Sequence, residues 1–352
     1  MNRLRRLLVG SILGFVLLIA VYVILTALVR ESPFSDEGLE AAVRDQLGSP
    51  GSHIALNDLE TLSELNASGR GIESLEGIEA LPNLRELNLA DNRVADLSPL
   101  AGLSRLAALD LSNNYLADPD SVNLGALEVL SELTELRLAN NREPAHPEAP
   151  GDAGRLWDIS VLTSFSALEV LDLRDNHIED ISPLSGLEYL RVLDLRGNRL
   201  SEDAVEALRP LSRLESLNLR ENDLRDIEAL SALQQLEYLN LHSNYRVESI
   251  LPMASLSRLR TLILRGVTVG EQAEIFREFG NLERLNLRDT GMRDLRVLAE
   301  LMEQGALQDR PEEGVFAELD IRENPVGDAE GYRVLEPYWS GIAVRRPAEL
   351  PE

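Results

Sequence analysis

The sequence predicts an α/β fold: a repeat solenoid bent into a horseshoe, with a concave parallel sheet of about eleven units, behind an N-terminal transmembrane helix. Three observations predict it. A leucine pattern recurs through most of the 352 residues at a spacing close to 22. Aromatic residues make up only 4% of the chain, so leucine has to build the core. Near the start, residues 7–29 carry no charge. A fixed period of this length outweighs chain length as a guide to domain number, because a solenoid grows by stacking units that contact only their neighbours.

The clearest copy of the repeat is residues 168–187, LEVLDLRDNHIEDISPLSGL, followed at 190–200 by LRVLDLRGNRL. The skeleton L-x-x-L-x-L-x-x-N-x-I is the leucine-rich-repeat signature, a short strand and a compact turn. Aligned on the asparagine, the units centre on Arg70, Asn92, Asn114, Asn141, Asn176, Asn198, Asn222, Asn244, Val267, Thr290 and Asn324. The asparagine side chain is expected to satisfy backbone groups of the turn in its own and the next coil. Looser turns are expected where it is missing, at 267 and 290. Leucines such as Leu171 and Leu173 point inward, and the residues between them point out. Pro99 and Pro183 suit the first position of short helical or 3₁₀ turns on the convex side.

Residues 1–6 read as a cytoplasmic stub and 7–29 as a transmembrane signal anchor. A helix of that length spans about 35 Å, enough for a bilayer core of about 30 Å. Arg3, Arg5 and Arg6 precede it, which puts the amino terminus in the cytoplasm and the repeats outside, periplasmic or extracellular. The competing reading is a cleaved signal peptide, but such apolar cores are shorter and 26–29 offers no small-residue cleavage site. Residues 30–61 form a linker and a helical cap. Leu39, Ala42, Val43 and Leu47 share one face of a helix, capped by Ser35 or Asp36 and stopped by residues 48–51. A second short helix is expected to start at Asn57, with Glu60 completing a partial capping box. The repeats occupy 62–330, with insertions at 142–157 and 302–315; the first reads as a loop with Trp157 at its base, the second as an extended convex helix before a loop. Residues 331–352 give a carboxyl cap and tail, in which Tyr332, Leu335, Tyr338, Trp339 and Ile342 cover the last coil beside a closing strand.

Residues 34–84, with LEAAVRDQLG and DLETLSELNASGRGIESLEGIEALPNL, resemble the amino-terminal part of bacterial leucine-rich-repeat proteins of the internalin-like, 22-residue type. The copies ending in DLSPL at 96–100 and DISPL at 180–184 match the same type, and the resemblance extends over roughly 34–344. It implies a binding surface without naming a ligand, because one fold of this kind serves many partners.

The outward residues of each strand therefore matter most. The middle column runs Asn66, Asn88, Asp110, Arg137, Asp172, Asp194, Asn218, Asn240, Ile263, Asn286, Asp320. The third column is Ser68, Ala90, Ser112 and Ala139, then Arg174, Arg196, Arg220, His242, Arg265, Arg288 and Arg322. Like charges side by side across strands are unfavourable and need an offset. Acids beside them, such as Asp172, Asp175, Glu221 and Glu323, would supply it internally. An acidic ligand is the other answer, since guanidinium forks carboxylates and sulfates. The first column adds Val170, Val192 and Tyr238, with Ile263 alongside, and apolar or aromatic residues beside arginine are the makings of a binding hot spot. The candidate ligand-binding set is thus Arg174, Arg196, Arg220, His242, Arg265, Arg288, Arg322, Val170, Val192, Tyr238 and Ile263.

Composition narrows the function classes. The formal charge is −26, and all 34 basic residues are arginine. A surface so acidic argues against general nucleic-acid binding, which needs phosphate neutralisation. There is no cysteine, which excludes disulfides, thiolate nucleophiles and cysteine-ligated zinc. His53, His146, His177 and His242 show no metal-ligand spacing and no triad setting, so no cofactor, no metal and no catalytic residue is expected. The sequence reads as a membrane-anchored, extracytoplasmic, non-enzymatic protein that binds a protein, possible acidic segments included, or a glycan. The alternative is a released or periplasmic repeat protein that regulates an enzyme by occluding it; membrane fractionation separates the two.

Overall fold

The computed structural model describes residues 32–48, 54–116, 122–141, 155–201, 204–327, 329–340 and 342–347. The expected anchor at 7–29, the stub before it and most of the insertion at 142–157 lie outside the described residues. Among the described residues no helix is long and apolar enough to cross a membrane.

Each coil contributes one strand of three residues. The strands are β1 (Glu64–Asn66), β2 (Glu86–Asn88), β3 (Ala108–Asp110), β4 (Glu135–Arg137), β5 (Val170–Asp172), β6 (Val192–Asp194), β7 (Ser216–Asn218), β8 (Tyr238–Asn240), β9 (Thr261–Ile263), β10 (Arg284–Asn286), β11 (Glu318–Asp320) and β12 (Ala343–Arg345). All pair in parallel and in chain order, forming one 12-stranded sheet. Eleven are the repeats; the twelfth is the closing strand of the carboxyl cap. At about 4.8 Å between neighbours the sheet runs roughly 50 Å. The leucines stack in register, Leu171 on Leu193 on Leu217 on Leu239, and all four are buried. Full burial of one such side chain contributes about 1.5–3 kcal/mol relative to exposure. The core is thus a leucine column that continues from coil to coil.

Two devices turn the chain after each strand. The residue just before the asparagine position is left-handed in every repeat, from Gly69 and Asp91 to Asp289 and Glu323. Glycine, aspartate and asparagine fill most of these positions because they reach positive φ at least cost. The second device is the asparagine. Asn198 donates to the carbonyl oxygens of Leu195 in its own coil (3.0 Å) and Leu173 in the preceding coil (2.9 Å), and accepts from the Ile178 N–H (3.1 Å). The amide thus reaches back, correcting the expectation of a bond to the next coil. The looser turns expected at 267 and 290 are also corrected. Val267 and Thr290 are buried; the Val267 N–H closes its turn on the Leu264 carbonyl (2.8 Å), and the Thr290 hydroxyl donates to the Leu287 carbonyl (2.8 Å).

On the convex side nearly every coil carries a 3₁₀ turn, such as Ser98–Gly102 and Ser182–Gly186 with proline near the start. The amino-terminal cap has α1 (Glu37–Gln46), which buries Leu39, Ala42 and Val43, and α2 (Leu56–Leu59). Asp36 caps α1 and also accepts from the Glu73 N–H (3.0 Å), fastening the cap to the first coil. The second capping box does not form: α2 starts after Ala55, and Asn57 lies inside it. The insertion at 302–315 follows α3 (Arg296–Glu303), an α-helix in place of the 3₁₀ turn, and ends in an antiparallel bridge from Arg310 to Val315. At the carboxyl end, α4 (Ala329–Arg333) precedes β12; Tyr332, Leu335 and Ile342 are buried over the last coil, with Tyr338 and Trp339 packed partly against it.

Candidate binding face

The strands set the three outward columns in line. Val170, Val192, Ser216, Tyr238 and Thr261 are direct neighbours across β5 to β9, as are Asp172, Asp194, Asn218, Asn240 and Ile263. The third column stays in step beyond the strand ends. The carbonyls of Arg196, Arg220, His242 and Arg265 each accept from the left-handed residue of the preceding coil at 2.7–3.0 Å. Every third-column residue from Arg174 to Arg322 is partly exposed.

The middle column is structural rather than free. In nine coils its side-chain oxygen accepts the backbone N–H two residues on, for example Asp194 from Arg196 (3.0 Å) and Asn240 from His242 (3.0 Å). Asn and Asp recur there because this local bond ends the strand. Arg137 and Ile263 lack an acceptor and break the pattern. Two coils therefore present a middle residue that the turn does not use.

Most column arginines are neutralised within the chain. Arg174 pairs with Asp172 (3.3 Å), Arg196 with Asp175 (3.4 Å) and Arg220 with Glu221 (2.6 Å). Arg288 forks Glu323, and Arg322 grips Asp320 with two bonds (2.9 and 2.6 Å). Arg265 is different. Among the described residues it makes no ion pair within 4.0 Å; it influences Glu323 and His242 only through space. Burial, then Arg220 and Arg265, hold the His242 imidazole below the usual histidine range, with Glu221 acting against them. Next to this pair the Tyr245 ring, 67% exposed, lies over Gly266. A Cβ there would sit 2.7 Å from the ring, and φ is +77°, so glycine at 266 makes room for the tyrosine ring. Tyr238, Ile263, His242, Arg265 and Tyr245 thus gather on coils eight and nine.

Comparison with known proteins agrees with this geometry. Family models described as leucine-rich repeats match residues 188–245 and 167–181, and a two-copy leucine-rich-repeat model matches 60–102 and 82–131. No curated protein matches the sequence. Internalin C2 from Listeria monocytogenes has a similar solved structure: 30% identity, 64% of this chain and 92% of that chain covered, TM-score 0.56. The chain belongs to the bacterial internalin-like leucine-rich-repeat family. A second Listeria monocytogenes internalin, InlF, matches at 23% identity over 90% of this chain and 96% of that one, TM-score 0.61, which shows the shared fold. So does the ectodomain of a plant membrane receptor kinase from Arabidopsis thaliana, solved in complex with Casparian strip integrity factor 2. It matches at 24% identity over 70% of this chain and 28% of that one, TM-score 0.51.

Within this internalin-like solenoid the predicted residues divide. Tyr238, Ile263, His242 and Arg265 come together. Val170 and Val192 lie beside one another two coils away. Arg174, Arg196, Arg220, Arg288 and Arg322 line the same face with their charge engaged, so the internal answer to the arginine column holds for these five. Sequence reasoning missed the other end. A recess of about 490 Å³ opens over coils one to four, lined among others by Glu64, Glu86, Asp110, Glu135 and Arg137. Gln46 at the end of α1 forms part of its wall, and Ala108, between Glu86 and Glu135 in the sheet, leaves space in its floor. The first column, read from its start as Glu64, Glu86, Ala108 and Glu135, carries that signal. Tyr245 was missed because it follows the asparagine, outside the three columns. Among the described residues no group of three or more His, Cys, Asp or Glu is placed to hold a metal ion.

Proposed function

We propose that the chain is a membrane-anchored, extracytoplasmic binding protein that holds a protein partner, or a glycan, on its concave face and carries out no chemistry. The observation that carries this reading is Arg265: a guanidinium without an ion pair among the described residues, on the same two coils as Ile263, Tyr238 and the exposed Tyr245. A partly desolvated arginine among aromatic and aliphatic groups is the composition of interface hot spots, and its match is a carboxylate or sulfate flanked by apolar surface. The plant receptor kinase ectodomain, solved with its factor bound, is a precedent for ligand capture by such a solenoid. The uncharged run at 7–29, behind three arginines, supports an anchor with the repeats outside.

The test uses the full chain in its own membrane. Crosslinking followed by pull-down identifies what the repeats hold, and Arg265→Glu is run beside it. Loss of about tenfold or more in capture is expected from a reversed hot-spot charge. Arg196→Glu and Arg220→Glu are poorer probes, because each would place a new acid beside Asp175 or Glu221. Unchanged capture by a folded Arg265→Glu chain would overturn the site. Carbonate extraction tests the anchor, and release of the chain into the soluble fraction would favour the occluding regulator.

A further inference from the structure

The concave face changes sign along its length. On β1 to β3, Glu64, Glu86 and Asp110 make no ion pair among the described residues, and Glu64 stands directly beside Glu86 in the sheet. Six to nine coils on, Arg265 and Arg284 also make none among the described residues. Between them, Arg174, Arg196 and Arg220 are closed off by carboxylates of the chain itself. Among the described residues, charge left open on the strands lies mainly at two separate ends, acidic at coils one to three and basic at coils nine and ten. The exception between them is Asp194, whose carboxylate accepts from the Arg196 N–H (3.0 Å) and the Asn218 amide (3.2 Å) without an ion pair. From β2 to β9 the distance is about 34 Å at ordinary strand spacing. The acidic end is also a recess, walled in part by Gln46 at the end of α1 and opened by the short Ala108.

Like charges side by side on a sheet raise the energy of the unbound protein. That cost is relieved when a partner brings the opposite charge, and complementary potentials also fix the direction in which the partner lies. Resting on the reading that this face is the binding face, we infer that it takes a protein partner with a two-signed surface. The partner's arginine or lysine side chains enter the recess over Glu64, Glu86 and Asp110, while its carboxylate meets Arg265 at the far end. A nucleic acid, with one sign throughout, satisfies only the basic end. A second copy of this chain would bring another net charge of −26 and is disfavoured for that reason.

The acidic end can be tested without knowing the partner. Fluorescein-labelled octa-arginine is titrated against the full chain in non-ionic detergent and read by anisotropy. Glu64→Gln with Glu86→Gln keeps side-chain size and removes two charges from the recess. Glu271→Gln with Glu278→Gln removes two exposed charges from the convex side and serves as the equal-charge control. The recess variant should bind the peptide about tenfold more weakly, two lost pairs of up to about 1 kcal/mol each, while the control stays within about twofold. Equal weakening in both, or none in the recess variant, overturns the inference. Arg265→Glu should not weaken octa-arginine binding. A failure of the recess variant therefore leaves the Arg265 capture result standing, and a failure of that capture result leaves the recess measurement standing.

Discussion

Asn114 donates its side-chain amide to the Leu89 carbonyl oxygen one coil back, at 2.9 Å. The same amide donates to Leu111 in its own coil (3.1 Å), and its oxygen accepts from the Val94 N–H (2.9 Å). The side chain is 1% exposed, so it holds these backbone groups away from bulk water. Asn114→Ala strands two buried backbone groups, the Leu111 carbonyl and the Val94 N–H, each costing about 1–3 kcal/mol before the turn relaxes, whereas the Leu89 carbonyl keeps the Asn92 amide (2.9 Å). A loss of about 2 kcal/mol or more is expected, read as a lower urea midpoint at constant slope. Asn88→Ala removes one bond, to the Ala90 N–H, on the partly exposed face and should cost about 1 kcal/mol.

Asp172 and Asp320 occupy the same column with opposite titration. Asp172 is 8% exposed, and burial pushes its carboxyl up despite the N–H and guanidinium of Arg174, with Asp194 next to it adding to the rise. The folded chain then holds that proton more tightly than the unfolded one. The associated stability is present below the unfolded value and lost as pH rises towards the folded one. Asp320 is also buried, but its two bonds from Arg322, with the Arg322 N–H, outweigh burial and bring its carboxyl down. Its contribution is present above the unfolded value and lost as pH falls through the folded one. Asp172→Asn should flatten the decline and leave the melting temperature at neutral pH no lower. Asp320→Asn should cost about 1–3 kcal/mol there and nothing at strong acid. Melts across the acid range check both, and an Asp172→Asn chain that loses stability at neutral pH would contradict the assignment.

How much of this was legible depends on what each residue answers to. The leucines answer to a period, so Leu171 and Leu193 are placed by counting. Asn198 answers to the same count, yet the direction of its bonds depends on which neighbouring carbonyl is nearer, which spacing does not encode. The turns at Val267 and Thr290 were misjudged because backbone and hydroxyl bonds replace the amide there. The arginine column was visible as a column. Its neutralisation was not, because Arg196 chooses Asp175 and Arg220 chooses Glu221 by rotamer rather than by register. Ile263 stands out in the sequence by apolarity alone; in the structure its side chain also takes no part in its turn, where nine middle-column side chains close theirs.

The neighbourhood of Arg265 yields the last prediction. His242 is held down by burial first and then by Arg220 and Arg265, so reversing one of those charges should raise its titration. Arg265→Glu should move it upward and Arg265→Gln part of the way, followed through the imidazole C–H resonances. Arg265 makes no ion pair among the described residues, so folding stability should change by no more than about 0.5 kcal/mol. Arg196→Glu places a second carboxylate where Arg196 now lies 3.4 Å from Asp175; it should cost up to about 1 kcal/mol and recover with added salt. An imidazole that titrates identically in all three Arg265 chains would mean that the guanidinium points away from His242 in solution, and the patch on coils eight and nine would lose its cation.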